Sequence, residues 1–142
     1  MDRRAALSRP LAALLLAGAA SAALACGYCV EDKIASAYDH ALVTRSLAQK
    51  HHVVFFHVEG PLLPGDGTKR ELQALAESTV GVDKGSVRVA PDTLTISVAF
   101  DPRRTSLAAL QNALDKKLAA KKLSLMPLRV IDAPAQLSAV KR

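Results

Sequence analysis

The apolar positions of the chain follow two periods, one typical of strands and one typical of helices. From residue 52 to residue 131 they predict the order strand, helix, strand, strand, helix, strand. The predicted segments are 52–59, 69–80, 86–89, 93–100, 106–120 and 123–131. Strand 93–100 has the clearest signal, because large apolar residues alternate with small or polar ones at every step. A longer helix is predicted ahead of this set, over residues 30–50.

The order of these segments is that of the split βαβ, or ferredoxin-like, arrangement. Right-handed crossovers place both of its helices on one face of the sheet and leave the other face open. We therefore predict an α+β protein, a ferredoxin-like βαββαβ sandwich with an extra N-terminal helix over part of the open sheet face.

The distribution of apolar residues indicates which part of that face is covered. Strand 52–59 is apolar on both sides, with Val53 and Phe55 opposite Val54, Phe56 and Val58. The last strand is also mixed, with Leu123, Leu125 and Ile131 opposite Met126, Leu128 and Val130. Strand 93–100 has one polar side. We expect the N-terminal helix to bury Val53 and Phe55, and the half of the face formed by strand 93–100 to stay exposed to solvent.

The first 25 residues have the pattern of a removable export signal. Basic residues precede an Ala- and Leu-rich stretch, and Ala23-Leu24-Ala25 has small residues at the positions that signal peptidases read. The apolar stretch is too short and too rich in Ala for a membrane span. We expect a periplasmic protein with four parts. They are a signal peptide over 1–25, the Cys-x-x-Cys and N-terminal helix over 26–51, the ferredoxin-like domain over 52–131, and a C-terminal tail over 132–142.

Composition narrows the classes of function. Half of the 142 residues are apolar and 23% are charged, which excludes a disordered chain. Loss of the signal removes three Arg and one Asp and lowers the net charge from +6 to +4. With that mild charge and no Trp, we expect no nucleic-acid partner. Two cysteines cannot form a four-cysteine zinc site. No nucleotide-binding or common hydrolase motif occurs, and we predict a protein that is not an enzyme.

The second half of the predicted domain resembles the heavy-metal-associated domains, which are small copper and mercury carriers. The resemblance rests on Gly81-Val82 after the first helix, on a strand that ends in Phe100-Asp101, and on a Leu-rich helix after Thr105. It covers about residues 53–131. It implies a ferredoxin-like fold and a metal-binding Cys-x-x-Cys in the loop after the first strand. Here loop 60–67 has no cysteine, so the family's ligands have no counterparts at that position.

The Cys-x-x-Cys of this chain, Cys26-Gly27-Tyr28-Cys29, instead precedes the N-terminal helix. A helix of about 20 residues is roughly 30 Å long, and a strand of about eight residues is roughly 26 Å long. Because a short connection joins them, we expect them to run antiparallel, with Cys26 and Cys29 near loop 60–67. A helix N-terminus favours the thiolate, and soft sulfur selects soft metal ions. We therefore predict Cys26 and Cys29 as ligands of Cu(I) or another soft metal.

The four histidines of the chain lie between His40 and His57. His40 is about three helical turns beyond Cys29, too far to complete the same site. By the same geometry, His40 and His57 both fall roughly 17 Å from the helix–strand connection and could face each other. A pair of imidazoles suits Cu(II) or Zn(II), so these two residues are candidate metal ligands. The alternative is that each is an ordinary surface or partly buried histidine.

Three other interpretations of the cysteine pair remain open. In an oxidising compartment the pair could form a structural disulfide in a non-catalytic interaction domain. Cys26 could be the lipidated first residue of a lipoprotein, although Ala23 stands where the usual lipobox has Leu. Cys-Gly-Tyr-Cys also resembles the active-site sequence of some bacterial disulfide isomerases, although no mature strand precedes it as the thioredoxin fold requires.

The predicted function is an exported soft-metal-binding module of the copper type, with a metal transporter or metallochaperone as its partner. Membrane association is expected only if Cys26 is lipidated. The sequence defines no oligomeric state.

Overall fold

Four helices and four strands make up the part of the chain that the computed structural model describes, residues 29–137. The predicted signal segment, Cys26 and the end of the tail lie outside the described residues. The helices are α1 (Val30–Ser36), α2 (His40–Ala48), α3 (Asp66–Glu77) and α4 (Leu107–Leu118). The strands are β1 (His52–Glu59), β2 (Arg88–Ala90), β3 (Thr95–Phe100) and β4 (Ser124–Ile131). Short 3₁₀ turns occupy Pro91–Thr93, Ala119–Lys121 and Pro134–Gln136.

The strands form one antiparallel sheet in the order β2-β3-β1-β4. From β1 onward the chain order is βαββαβ, and this strand order is that of the ferredoxin-like fold. The predicted fold class is confirmed. β1 is an inner strand, with β3 on one side and β4 on the other, and both of these neighbours are distant from it in sequence.

The main core fills the space between the sheet and the pair α3 and α4. β1 contributes Val54, Phe56 and Val58, all at most 1% exposed. The helices contribute the apolar stripe that their spacing predicts, namely Leu72, Ala76, Leu110, Leu114 and Leu118. Ser106 caps the start of α4, since its hydroxyl accepts a hydrogen bond from the Ala109 N–H at 3.1 Å.

A second core lies on the opposite face of the sheet, under α1 and α2. Val53 and Phe55 are fully buried there, as the sequence predicts. The expectation that the β3 half of this face stays exposed to solvent is wrong. Thr95, Ser97 and Ala99 are at most 2% exposed, because the helices extend across β3 as well as β1. The polar side of β3 is therefore a buried hydrogen-bonding surface.

The N-terminal layer is two helices, so the prediction of one continuous helix over residues 30–50 is wrong. The chain leaves helical geometry between Ser36 and His40. Asp39 has extended backbone geometry and caps α2, since its carboxylate accepts a hydrogen bond from the Leu42 N–H at 3.0 Å. The Ser97 hydroxyl donates a 2.9 Å hydrogen bond to the Ala37 carbonyl, which a continuous helix would have used internally.

A bulge in β4 changes which apolar residues share a face. Phe55 pairs with Arg129, but Phe56 pairs with Pro127, so Leu128 is an extra residue without a partner on β1. Beyond the bulge the alternation is inverted. Ile131 lies in the core under α1 and α2, and Val130 packs against the main core. The predicted grouping of Ile131 with Leu125 is therefore wrong, because strict alternation does not survive an inserted residue.

Candidate functional site

Cys29 lies exposed at the start of α1, where it is the residue that precedes the first helical turn. Its carbonyl accepts the first hydrogen bond of the helix, from the Lys33 N–H at 3.1 Å. Its thiol donates a hydrogen bond of 3.1 Å to a carboxylate oxygen of Asp32. The sulfur is therefore available to a metal ion or another thiol from solvent, next to the positive end of a short helix.

The first turn of α1 carries two acidic residues with different surroundings. Arg129 on β4 donates hydrogen bonds to both carboxylate oxygens of Glu31, one of them at 3.0 Å. The hydrogen bond from Arg129 holds the pKa of Glu31 below its ordinary value, and the same contact raises the pKa of Arg129. Glu31 thus fixes the helix to the sheet edge. Asp32 is the carboxylate that faces the Cys29 thiol.

α1 crosses the strands instead of running antiparallel to β1, so the predicted path of the N-terminal helix is wrong. Glu31 contacts Arg129 on β4, and Lys33 contacts His57 on β1 at 3.1 Å. Ser36 hydrogen-bonds Thr93, just before β3, at 2.6 Å. The helix begins above the β4 edge, so Cys29 lies at that edge. The position of Cys26, and the expected closeness of the pair to loop 60–67, fall outside the described residues.

The structure gives His40 and His57 separate environments. The exposed His40 contacts the Tyr38 hydroxyl through Nδ1 at 3.2 Å. His57 lies under α1, and its Nδ1 is 3.0 Å from the Leu94 carbonyl oxygen and 3.1 Å from the Lys33 ammonium. No hydrogen bond of the described residues joins the two histidines. Within residues 29–137 no group of three or more His, Cys, Asp or Glu side chains is arranged to hold a metal ion.

Loop 60–67, where the resemblance implies a metal site, is filled by chain packing at its first residue. A Cβ on Gly60 would lie 2.4 Å from the Lys122 carbonyl oxygen, and the residue has φ +120°. The last residues of the loop already belong to α3, which begins at Asp66 instead of the predicted residue 69. The loop contains no cysteine, so it supplies no thiolate ligand.

The sequence did not reveal a charged cluster at the other end of the sheet. His51, between α2 and β1, contacts Asp83 through Nδ1 at 2.6 Å. Its Nε2 is 3.7 Å from Asp101, and Asp101 accepts two side-chain hydrogen bonds from Arg103. The three segments that meet here are far apart in sequence, so no local pattern shows that they come together. The signal that the sequence offers for this cluster is a set of polar residues that follow strands and helices.

The fold and this site define an α+β protein with a ferredoxin-like domain, a helical layer on its open face and an exposed cysteine at the start of that layer. No helix in residues 29–137 is long and apolar enough to cross a bilayer. No protein-family model matches the chain, and no curated protein matches its sequence.

Three solved structures illustrate the similarity of the chain to known domains. Oxidized MerP from Ralstonia metallidurans CH34 is 22% identical with a TM-score of 0.43, over 56% of this chain and 99% of that one. A copper binding domain from HMA7, a P-type ATPase, is 16% identical with a TM-score of 0.44, over 56% and 96%. The Cu(I)-loaded N-terminal domain of a potential copper-translocating P-type ATPase from Bacillus subtilis is 19% identical with a TM-score of 0.43, over 58% and 94%. The fold assignment rests on the strand order of this chain itself.

Proposed function

We propose that this chain is an exported, non-catalytic soft-metal-binding module of the copper type, with Cys26 and Cys29 as its ligands. The observation that carries the proposal is the exposed Cys29 at the start of α1, with a second cysteine three positions earlier in the sequence. The resemblance of residues 53–131 to metal carriers supports the same function.

The chemistry of the donor set favours a soft ion. Two thiolates are a sufficient ligand set for Cu(I), and thiolate sulfur prefers Cu(I) to hard ions such as Mg²⁺ or Ca²⁺. In the free protein the Cys29 thiol donates its proton as a hydrogen bond to the Asp32 carboxylate. Metal binding would replace that proton.

The exposure of the site suits transfer more than storage. A metal held at an exposed helix start, at the edge of the sheet, can be reached by the thiolates of another protein without unfolding of either domain. We therefore propose a metal transporter or a metallochaperone as the partner.

A competition titration tests the ligand assignment. The protein is purified after export, and mass spectrometry determines its N-terminus and any lipid on Cys26. The reduced protein is then titrated with Cu(I) against a chromophoric Cu(I) chelator, beside the Cys26→Ser/Cys29→Ser variant. We expect one equivalent of Cu(I) to be withdrawn from the chelator by the wild-type protein and none by the variant.

Two control variants separate the cysteines from the histidines. His40→Asn and His57→Gln should bind Cu(I) as the wild type does, because the proposal gives both ligand positions to the cysteines; His57 meets α1 at the Lys33 ammonium. Equal Cu(I) binding by the wild type and the double-serine variant, or no binding by the reduced wild type, contradicts the proposal. In the second case a disulfide in the isolated protein would favour a structural role, and reduction of insulin disulfides would indicate a thiol–disulfide enzyme.

A further inference from the structure

The cluster around His51 has a geometry that depends on the protonation of one ring. The His51 side chain is 18% exposed, and its two nitrogens face two different carboxylates. Asp83 lies 2.6 Å from Nδ1, in the loop between α3 and β2. Asp101 lies 3.7 Å from Nε2, directly after β3. His51 itself belongs to the turn that joins α2 to β1.

Both neighbours of the ring are acceptors. Hydrogen bonds from the side chain and backbone N–H of Arg103 lower the pKa of Asp101 to about 2, so this carboxylate stays ionised at any physiological pH. Asp83 shares its loop with Lys84, and its own backbone N–H donates to the Ala99 carbonyl at 2.9 Å. The charged residues of the flanking segments are Lys50, Lys84, Arg103 and Arg104. All four are cations, and one of them, Arg103, pairs with Asp101.

We propose that His51 is a pH-sensitive clamp that ties the entrance of β1 to the α3–β2 and β3–α4 loops. A neutral imidazole has one N–H and can donate to only one of the two carboxylates, whereas the imidazolium donates to both. Protonation therefore adds a charge-assisted interaction to the folded protein. Loss of the proton leaves one nitrogen lone pair facing a carboxylate, so the attraction between the ring and one of the two loops is lost.

His51 and Asp101 lie directly beyond the His52–Phe100 pair at the end of the β1–β3 ladder, and Asp83 adds the α3–β2 loop to this point. His51 follows α2 and precedes β1, an inner strand, so the cluster fixes the point at which the N-terminal helical layer enters the sheet. Since histidine is the side chain that ordinarily changes charge between pH 5 and 8, the clamp tightens as the exported protein meets a mildly acidic medium.

Thermal unfolding of the full exported protein between about pH 8 and about pH 5.5 tests the clamp. The wild type is compared with His51→Gln and Asp83→Asn, and with His40→Gln as a matched control whose exposed imidazole contacts Tyr38. We expect the difference in Tm between wild type and His51→Gln to widen by about 2–5 °C as the pH falls. Asp83→Asn should lose most of the gain in Tm that the wild type shows at low pH. The Tm of His40→Gln should change with pH as that of the wild type does.

A difference in Tm that stays constant across this range would overturn the proposal, because it would mean that His51 acts only by packing. If His51→Gln does not fold, nitrogen NMR of the His51 ring in the wild-type protein tests the proposal instead. We expect both ring nitrogens to be protonated at the acid end, with the Asp83 and Asp101 amide signals moving in the same transition. A single neutral tautomer throughout the range contradicts the clamp.

Discussion

The Ser97 hydroxyl donates a 2.9 Å hydrogen bond to the Ala37 carbonyl, and both residues are buried. This contact joins the middle of β3 to the break between α1 and α2. It explains why a strand with one polar side can lie under a helical layer, since the polar side provides partners for the backbone that the break leaves free.

Removal of this hydroxyl should weaken the attachment of the helical layer. We expect Ser97→Ala to lower the free energy of unfolding by about 1–2 kcal/mol, because the Ala37 carbonyl is left buried without a donor. Urea denaturation followed by circular dichroism measures the change. Ser124→Ala, on an exposed hydroxyl at the start of β4, is the control and should change stability by less than about 0.5 kcal/mol. Equal effects of the two substitutions would show that the contact adds no stability.

Asp39 should stabilise α2 in two ways, as its N-cap and as the partner of Arg88, whose Nη2 lies at 2.9 Å. We expect Asp39→Ala to cost about 1–2 kcal/mol at neutral pH. Asp132→Ala, an exposed carboxylate after β4, should cost less than about 0.5 kcal/mol. Chemical denaturation at one pH measures the free energy of unfolding of both variants.

The contribution of Asp39 should also depend on pH in a defined direction. The backbone N–H of Leu42, followed by Arg88, lowers the pKa of Asp39 in the folded protein. Its stabilising effect is therefore present above the unfolded value of about 3.9 and is lost as the pH falls through the lowered folded value. The gap in Tm between wild type and Asp39→Ala should narrow in acid. A gap that is unchanged at acid pH would assign the effect to the shape of the side chain alone.

Asp101 should titrate near the bottom of the carboxylate range. Its pKa is lowered to about 2, mainly by hydrogen bonds from Arg103. Carbon NMR of the carboxyl group should show this value in the wild type and a clear upward shift in Arg103→Gln. Arg104→Gln, one position further along the turn, should leave it in place. Because the folded pKa is the lower one, this interaction stabilises the protein above about pH 4 and is lost toward about pH 2.

Gly60, directly after β1, and Gly67, in the first turn of α3, should respond in opposite ways to the same substitution. Gly60→Ala places a Cβ 2.4 Å from the Lys122 carbonyl oxygen at φ +120°. We expect this substitution to lower the free energy of unfolding by about 2–3 kcal/mol. Gly67 lies inside α3, and a Cβ there would meet no neighbouring atom within 4 Å. We expect Gly67→Ala to raise the free energy of unfolding by about 0.5–1 kcal/mol. Thermal unfolding of both variants decides. A neutral Gly60→Ala would mean that the loop moves away from Lys122 at little cost.

The candidate site was predictable from the sequence only in its chemistry. The spacing of Cys26 and Cys29 and the helix after them identify a possible ligand pair and its position ahead of α1. The path of that helix was not predictable, because it depends on Glu31 meeting Arg129 and Ser36 meeting Thr93, contacts between residues far apart in the chain. The separation of His40 from His57 follows from the same crossing path.

The sequence by itself determined the order of the elements from β1 onward, the extent of β1 and the apolar stripes of α3 and α4, because periodicity and capping are local properties. Only the tertiary structure decided the break at Asp39, the burial of the polar side of β3 and the exchange of faces by Val130 and Ile131. Each of these depends on a hydrogen bond or a strand register between distant segments. A local pattern shows which side chains avoid water, but the free energy that selects their partners arises when the sheet and its two helical layers pack together.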